Sequence, residues 1–414
     1  NVRYAEMQGR TEARELRRMG LDVNLAPVLD VLTDSYSPNI GIRSYSKDWK
    51  TVSEMGSARI RAMQENGLSA CAKHFPGKGH APVDAHLGLP VIPSTWHEME
   101  EVHLKPFVRA IEDGIHVMMT SHPLYPKLDA EPGRIATFSP VIVRECLRNN
   151  LGFKGVISSD DLEMGAIKEI CPIGEAGVRA VEAGHDILLV CHDLNAQQEV
   201  FRALTIAYES GRLKVKDLEE SVERINRLKS YRKKRFTGGA PHAEASGART
   251  ASEICAHSAT VLKDIRHEIP YDAGALKTRK VTVIFPKLSS FDSKIMVEKE
   301  LLTESRFLKA EFSKHGINPM ILTVSVEPHA EEIRSASELC AGADLTILFC
   351  FDAHLYPSNK ELLDTVVRKS RKTAAIFLRD FYDAEFVPET VPCVTDFGWR
   401  ACQISASIRK LFAK

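Results

Sequence analysis

Two short stretches of this 414-residue chain combine residue types and spacings suited to bond-breaking chemistry. The first, KHFPGKGHAPVDAHLGLP (73–90), packs Lys73, His74, Lys78, His80, Asp84 and His86 into fourteen residues, with Pro76, Gly77, Gly79 and Pro82 among them. Proline and glycine at that density forbid a helix, and so many ionisable groups forbid a core strand, so the segment reads as a loop. Asp84 and His86 lie two apart, and on extended backbone both side chains project to one side. The carboxylate can then orient and polarise the imidazole, which can give a proton to a leaving group and later take one from water. The second stretch, GVISSDDLEMGAI (155–167), sets Asp160 and Asp161 where a strand turns into a helix. Backbone N–H groups and the helix dipole there keep a carboxylate ionised. An ionised carboxylate in a cleft is a candidate nucleophile, as in retaining glycosidases. Asp161, next along the strand, is expected to face the other way. Lys73 and His74 suit sugar hydroxyls as hydrogen-bond donors, and Arg43 suits an acidic or polar substituent.

The competing reading of the loop is a zinc site built from His74, His80, Asp84 and His86. Helical i, i+4 spacing is missing, however, and the Gly-Pro backbone would have to fold tightly, so the expectation is no metal. Gly77-Lys78-Gly79 lacks the remaining positions of a phosphate-binding P-loop. No cofactor is expected.

The elements that must hold these residues alternate regularly. NLAPVLDV (24–31), SACAKHF (69–75), IHVMMTSH (115–122), GVISSD (155–160) and DILLVC (186–191) read as strands, and helical spacing covers 3–20, 48–66, 96–113, 139–152 and 173–184. Strand and helix alternating in this way predict a parallel sheet with right-handed crossovers. Asp30, His74, His122 and Asp160 all stand at carboxyl ends of strands. In a β/α barrel those ends share one rim, so the four converge on one pocket. Only five such strands are legible, whereas a closed barrel needs eight. After the helix 216–230, residues rich in Gly, Ala, Pro and Ser read as a linker, and the basic run 232–235 as a solvated helix end. Strands over 280–285, 318–326, 344–351 and 372–378 then indicate a second α/β domain. Asp352 and His354, just past one of those strands, read as structural. The predicted domains are 1–228 (catalytic), 229–253 (linker) and 254–414.

Composition removes several function classes. Basic and acidic residues balance at 55 each, so no global field favours nucleic acid or an anionic membrane. No apolar run approaches the roughly 18 residues of a spanning helix. Nine scattered cysteines form neither a disulfide framework nor a C-x-x-C pair, and reduced thiols point to the cytoplasm.

Both chemistry-bearing stretches resemble the signature segments of glycoside hydrolase family 3, and more narrowly its NagZ-type β-N-acetylglucosaminidases. NLAPVLDV, IGIRSYS, SHPLYPKLD, ATFSP and LRNNLGFKGV match in family order over residues 15–195. The resemblance implies a (β/α)8 TIM-type barrel, N-terminally incomplete in this chain, followed by an α/β sandwich domain. It implies Asp160 as nucleophile and His86 with Asp84 as the acid/base dyad. Arg43, Lys73 and His74 would line the sugar subsite, with His122 and Met164 near it. The implied activity is that of a retaining β-N-acetylhexosaminidase, releasing terminal N-acetylglucosamine from peptidoglycan fragments through a glycosyl-aspartate. The substrate would be a small carbohydrate, with neither nucleic acid nor membrane as partner. A β-glycosidase of other specificity, a glycoside phosphorylase and a non-catalytic carbohydrate-binding remnant remain as alternatives. Two departures stand out. Lys78 and His80 replace the family's usual His and Asp, at loop positions outside the dyad. No D-Q-E-G-G loop precedes the first helix, so the chain is expected to lack its first three barrel strands, and any export signal would lie in that segment.

Overall fold

The structure, a computed structural model, describes residues 1–34, 37, 40–81, 88–231, 243–292 and 296–412. It divides into two compact units, Asn1–Thr250 and Ala251–Lys414. Among the described residues no helix is long and apolar enough to cross a membrane.

The first unit is built on a five-stranded sheet of β1 (Val23–Asn24), β2 (Ser69–Phe75), β3 (Val117–Thr120), β4 (Val156–Asp161) and β5 (Ile187–Leu189), side by side in chain order. Every pairing is parallel, with Val23 opposite Ser69, Cys71 opposite Val117, Val117 opposite Val156 and Ser158 opposite Ile187. The sheet curls as part of a barrel wall. β2 is buried on both faces except at Lys73, which explains its run of small apolar residues. The helix Val2–Arg18 packs on the helix Trp49–Glu65, and Arg59 pairs with Glu12 at 2.6 Å. Asn1 and Asp48 cap the two helix starts by accepting backbone N–H groups.

Three sequence expectations need correction. Residues 24–31 do not form one continuous strand: regular pairing covers Val23–Asn24, and a single bridge joins Val28 to Lys73. Pro27 has no N–H to give to a ladder. The backbone still follows β2, with Cys71 N–H donating to Ala26 and Leu29 N–H to Lys73. The helix expected over 96–113 is divided into Trp96–Glu98, Met99–His103 and Lys105–Glu112. Pro106 stands in the first turn of the last piece, where its missing N–H costs least. The stretch expected as a linker is helical from Ala243 onward, to Ser258, as its alanine content favours. Residues 232–242 lie outside the described residues.

The second unit holds a six-stranded sheet of β6 (Thr260–Lys263), β7 (Val281–Pro286), β8 (Met320–Val324), β9 (Leu345–Phe351), β10 (Thr373–Leu378) and β11 (Cys393–Thr395), ordered β6-β11-β10-β9-β7-β8. All neighbours are parallel except β6, which runs antiparallel to β11. The four strands legible in the sequence are the long ones. β6 and β11, of four and three residues, are too short to display a period.

Close backbone approach constrains the loop after β2. A Cβ on Gly79 would stand 2.0 Å from the carbonyl oxygen of Val31. Gly79→Ala is therefore expected to destabilise the chain by about 1–3 kcal/mol. Gly88→Ala, whose Cβ would meet nothing within 4 Å, should stay within about 0.5 kcal/mol. Urea midpoints of both variants test this, and equal midpoints would refute the packing argument.

Candidate functional site

The site begins with a carboxylate that has no contact with solvent. Asp30, wholly buried, accepts hydrogen bonds from the His74 ring at Nδ1 (2.7 Å), from the His74 backbone N–H (3.2 Å) and from the Lys78 backbone N–H (2.7 Å). Burial by itself would raise its pKa, but His74 and Lys78 outweigh burial and hold it below the usual carboxylate range. A carboxylate only accepts, so Nδ1 of His74 carries the proton given to Asp30. Burial pushes the His74 imidazole down to about 4, assisted by Lys78 and opposed by Asp30. At neutral pH the ring is uncharged, and its Nε2 faces the strand end of β4.

Asp160 stands there. One of its carboxylate oxygens lies 3.9 Å from His74 Nε2 and 3.8 Å from Lys78 Nζ, and about a fifth of the side chain is exposed. Its other oxygen accepts the backbone N–H of Asp161 at 3.0 Å. Burial would raise Asp160, yet His74, Lys78, His122 and that N–H hold it far below the usual range. The result is an ionised, accessible carboxylate beside a buried ammonium. The Asp161 carboxylate turns elsewhere, accepting N–H groups from Glu163 and Cys191 and pairing with His192 at 3.2 Å.

His122, wholly buried, bridges the ends of β3 and β4. Its Nε2 donates to the Asp161 carbonyl at 3.0 Å, and its Nδ1 meets the Thr137 hydroxyl at 2.8 Å. Burial keeps this ring neutral by lowering its pKa. Lys73 points from the half-exposed position of β2, and burial lowers its pKa against the pull of Asp160. Arg43, exposed at the end of a short turn (Gly41–Arg43), is close enough to depress Lys73 further.

Of the residues proposed from sequence, the structure therefore brings Asp160, His74, Lys73 and His122 together, with Arg43 at their margin. Met164 follows Asp160 but is buried against Leu89 and Ala166. Asp84 and His86 lie outside the described residues. Lys78, read from the sequence as a loop position outside the dyad, is a buried neighbour of Asp160, which spacing along the chain did not reveal. Asp30 was legible only as a polar strand end, and its grip on His74 needed the fold. His80, the other departure, donates to or accepts from Ser94 at 2.8 Å and stacks on His103, 4.0 Å between ring centres. Among the described residues no metal-ligating group of three forms around His74 or His80.

The profile described as "Glycosyl hydrolase family 3 N terminal domain" matches residues 1–228, more than half of the 414. A protein of Thiobacillus denitrificans named "Beta-hexosaminidase" is 38% identical over 202 residues, covering 49% of this chain and 55% of the relative. One of the same name from Idiomarina loihiensis is 36% identical over 228 residues, covering 55% of this chain and 64% of the relative. The chain thus spans between half and two thirds of the length of these curated relatives. Among solved structures, a family 3 β-N-acetylglucosaminidase from a Paenibacillus species superposes with a TM-score of 0.88 at 28% identity, over 99% of this chain and 78% of that one. A β-glucoside phosphorylase superposes at 0.81 with 22% identity, over 100% of this chain and 76% of that one, a likeness of fold alone.

The buried imidazoles predict how stability depends on pH. His74 and His185 have folded values near 4 against an ordinary 6.5, in both cases chiefly through burial. As pH falls the unfolded chain binds their protons first, so their contribution is complete above pH 6.5 and is lost as pH falls through about 4. Denaturant unfolding between pH 7.5 and 4 is expected to show this decline, shallower in His185→Gln, and a flat profile would contradict it.

Proposed function

This chain belongs to glycosyl hydrolase family 3, and on that premise we propose that it is a retaining β-N-acetylhexosaminidase whose nucleophile is Asp160. The observation carrying the reading is the ionised Asp160 carboxylate, partly open to solvent and flanked by His74 and Lys78. In the first step an Asp160 oxygen bonds to the anomeric carbon as the bond to the leaving oxygen breaks. His86, oriented by Asp84, gives that oxygen its proton. In the second step His86 takes a proton from water, the water oxygen bonds to the anomeric carbon, and Asp160 is released. The neutral Nε2 of His74 accepts a sugar hydroxyl, Lys73 and Arg43 donate to others, and Lys78 stabilises the carboxylate that must leave at the end.

Terminal N-acetylglucosamine on peptidoglycan fragments is the proposed substrate, supported by the NagZ-type D-x-H spacing of Asp84 and His86 in the sequence and by the names of the relatives. Nine cysteines, all free, fit a reducing compartment such as the cytoplasm. The cationic surroundings of Asp160 favour one further reading, in which phosphate replaces water in the second step. A histidine acid/base adds no charge that would repel it.

Turnover of a nitrophenyl β-N-acetylglucosaminide, compared with the β-glucoside, tests the proposal. Asp160→Asn is expected to lose at least about a thousandfold in kcat. Preference for the glucoside, equal turnover by the variant, or none by the folded chain would overturn it. Rates that rise with added phosphate, with a sugar phosphate as product, would select phosphorolysis. Lys78→Met should also move the acid limb of kcat/KM upward by roughly one pH unit, because the His74 ring, which must stay neutral, and Asp160 both lose a neighbouring ammonium. A limb that stays in place would remove Lys78 from this role.

A further inference from the structure

A second group of titratable side chains lies wholly within the second unit, at the ends of β9 and β10. These strands are parallel neighbours, with Phe351 opposite Leu378. Asp352 follows the first and Asp380 follows the second, with His354 two residues beyond Asp352. Each of the three offers one oxygen or nitrogen, and the three atoms lie within 4.8 Å of one another. The position is also topologically marked. β7 connects to β8 on one side, and the chain then returns to β9 on the other, so the loop after β9 sits where the strand order reverses. Open α/β sheets take ligands at such reversals, outside the carboxyl ends of the strands.

The burial of these groups is costly as they stand. Asp352 is 0% exposed, and neither of its oxygens has a hydrogen-bond donor; Asp380 is 3% exposed, and its Oδ1 has none. The cation near both is Arg379, whose Nε lies 3.1 Å from Asp352 and 3.2 Å from Asp380. Arg379 and the His354 ring face three buried carboxylates, Asp352, Asp380 and Asp383, and Asp352 is left without a hydrogen-bond donor, which is expensive for a buried acid. The arginine side chain is 33% exposed, so it has a route to solvent. His354 is oriented from behind. Its Nδ1 donates to Asp383 at 2.8 Å, and Asp383 is itself held by the backbone N–H groups of Ala353 and His354. A carboxylate behind a ring nitrogen is the arrangement that supports a metal-ligating histidine, and this ring lies beside two further acids.

We infer that Asp352, His354 and Asp380 form a binding site for a divalent cation of the zinc class. An imidazole with two carboxylates is a nitrogen–oxygen donor set that favours Zn²⁺ over Mg²⁺ or Ca²⁺. Ligands about 2.1 Å from zinc stand roughly 3.4 Å apart, so side-chain rotations of about an ångström close the set. Arg379 withdraws as the metal enters, and a water takes the fourth position.

The full chain, stripped with a chelator and dialysed, would be titrated with Zn²⁺ by calorimetry, with Mg²⁺ alongside. One equivalent of Zn²⁺ is expected to bind more tightly than Mg²⁺ and to raise the Tm. Asp352→Asn and Asp380→Asn should each weaken it by at least about 100-fold, and Asp383→Asn by about 10–100-fold. Asp160→Asn should leave it unchanged. No stoichiometric binding, or equal binding by Asp352→Asn, would overturn the site. Should the buried aspartate variants fail to fold, His354→Ala and X-ray absorption of the zinc-loaded chain decide. Nitrogen and oxygen neighbours support the site, and sulfur neighbours would assign the metal to cysteines and refute it.

Discussion

The buried carboxylate of Asp30 is the interaction on which the candidate site depends. Removing a carboxylate from water is tolerable only where donors replace the water. Here three N–H groups do so, two from His74 and one from Lys78. Each of these bonds also positions something else. The ring bond sets the His74 tautomer and presents Nε2 to Asp160. The backbone bonds fold Pro76–Lys78 back under the strand end and bring the Lys78 side chain inward. The Tyr125 hydroxyl, donating to the Gly77 carbonyl at 2.9 Å, secures the same turn from the β3 side.

Asp160 is the electrostatic consequence. The parallel sheet sends the ends of β2, β3 and β4 to one rim, so groups from residues 74, 78, 122 and 160 share a small volume. Burial favours the neutral acid, and the ammonium and the strand-end N–H favour the anion. The anion prevails. That balance gives a carboxylate ionised at neutral pH, which is what the proposed glycosyl-enzyme mechanism asks of it. The second unit, with a different strand order and one antiparallel pairing, also gathers polar groups at strand ends: two acids and a histidine meet at the neighbouring ends of β9 and β10, beside Arg379.

Much of this was legible beforehand. Apolar runs of five to eight residues, each ending in a polar group and followed by a helical period, marked β2 and β4 almost to the residue. The chemistry-bearing loop was legible because prolines, glycines and ionisable groups at such density have no other place in a fold. Short or proline-interrupted elements were not. β1 pairs as a strand over two residues only, and β6 and β11 carry too few residues for a pattern.

The sequence by itself determined the order of strands and helices, the strand-end placement of His74, His122 and Asp160, and the family signature, because each rests on local spacing. Only the tertiary structure decided that Lys78 lies against Asp160, that Asp30 holds His74, and that Asp352, His354 and Asp380 converge. Those pairings join residues 44, 82 and 28 positions apart (Asp30–His74, Lys78–Asp160 and Asp352–Asp380). Their meeting is set by sheet register and by which donors a buried charge can reach, and neither quantity is written in the neighbourhood of any one residue.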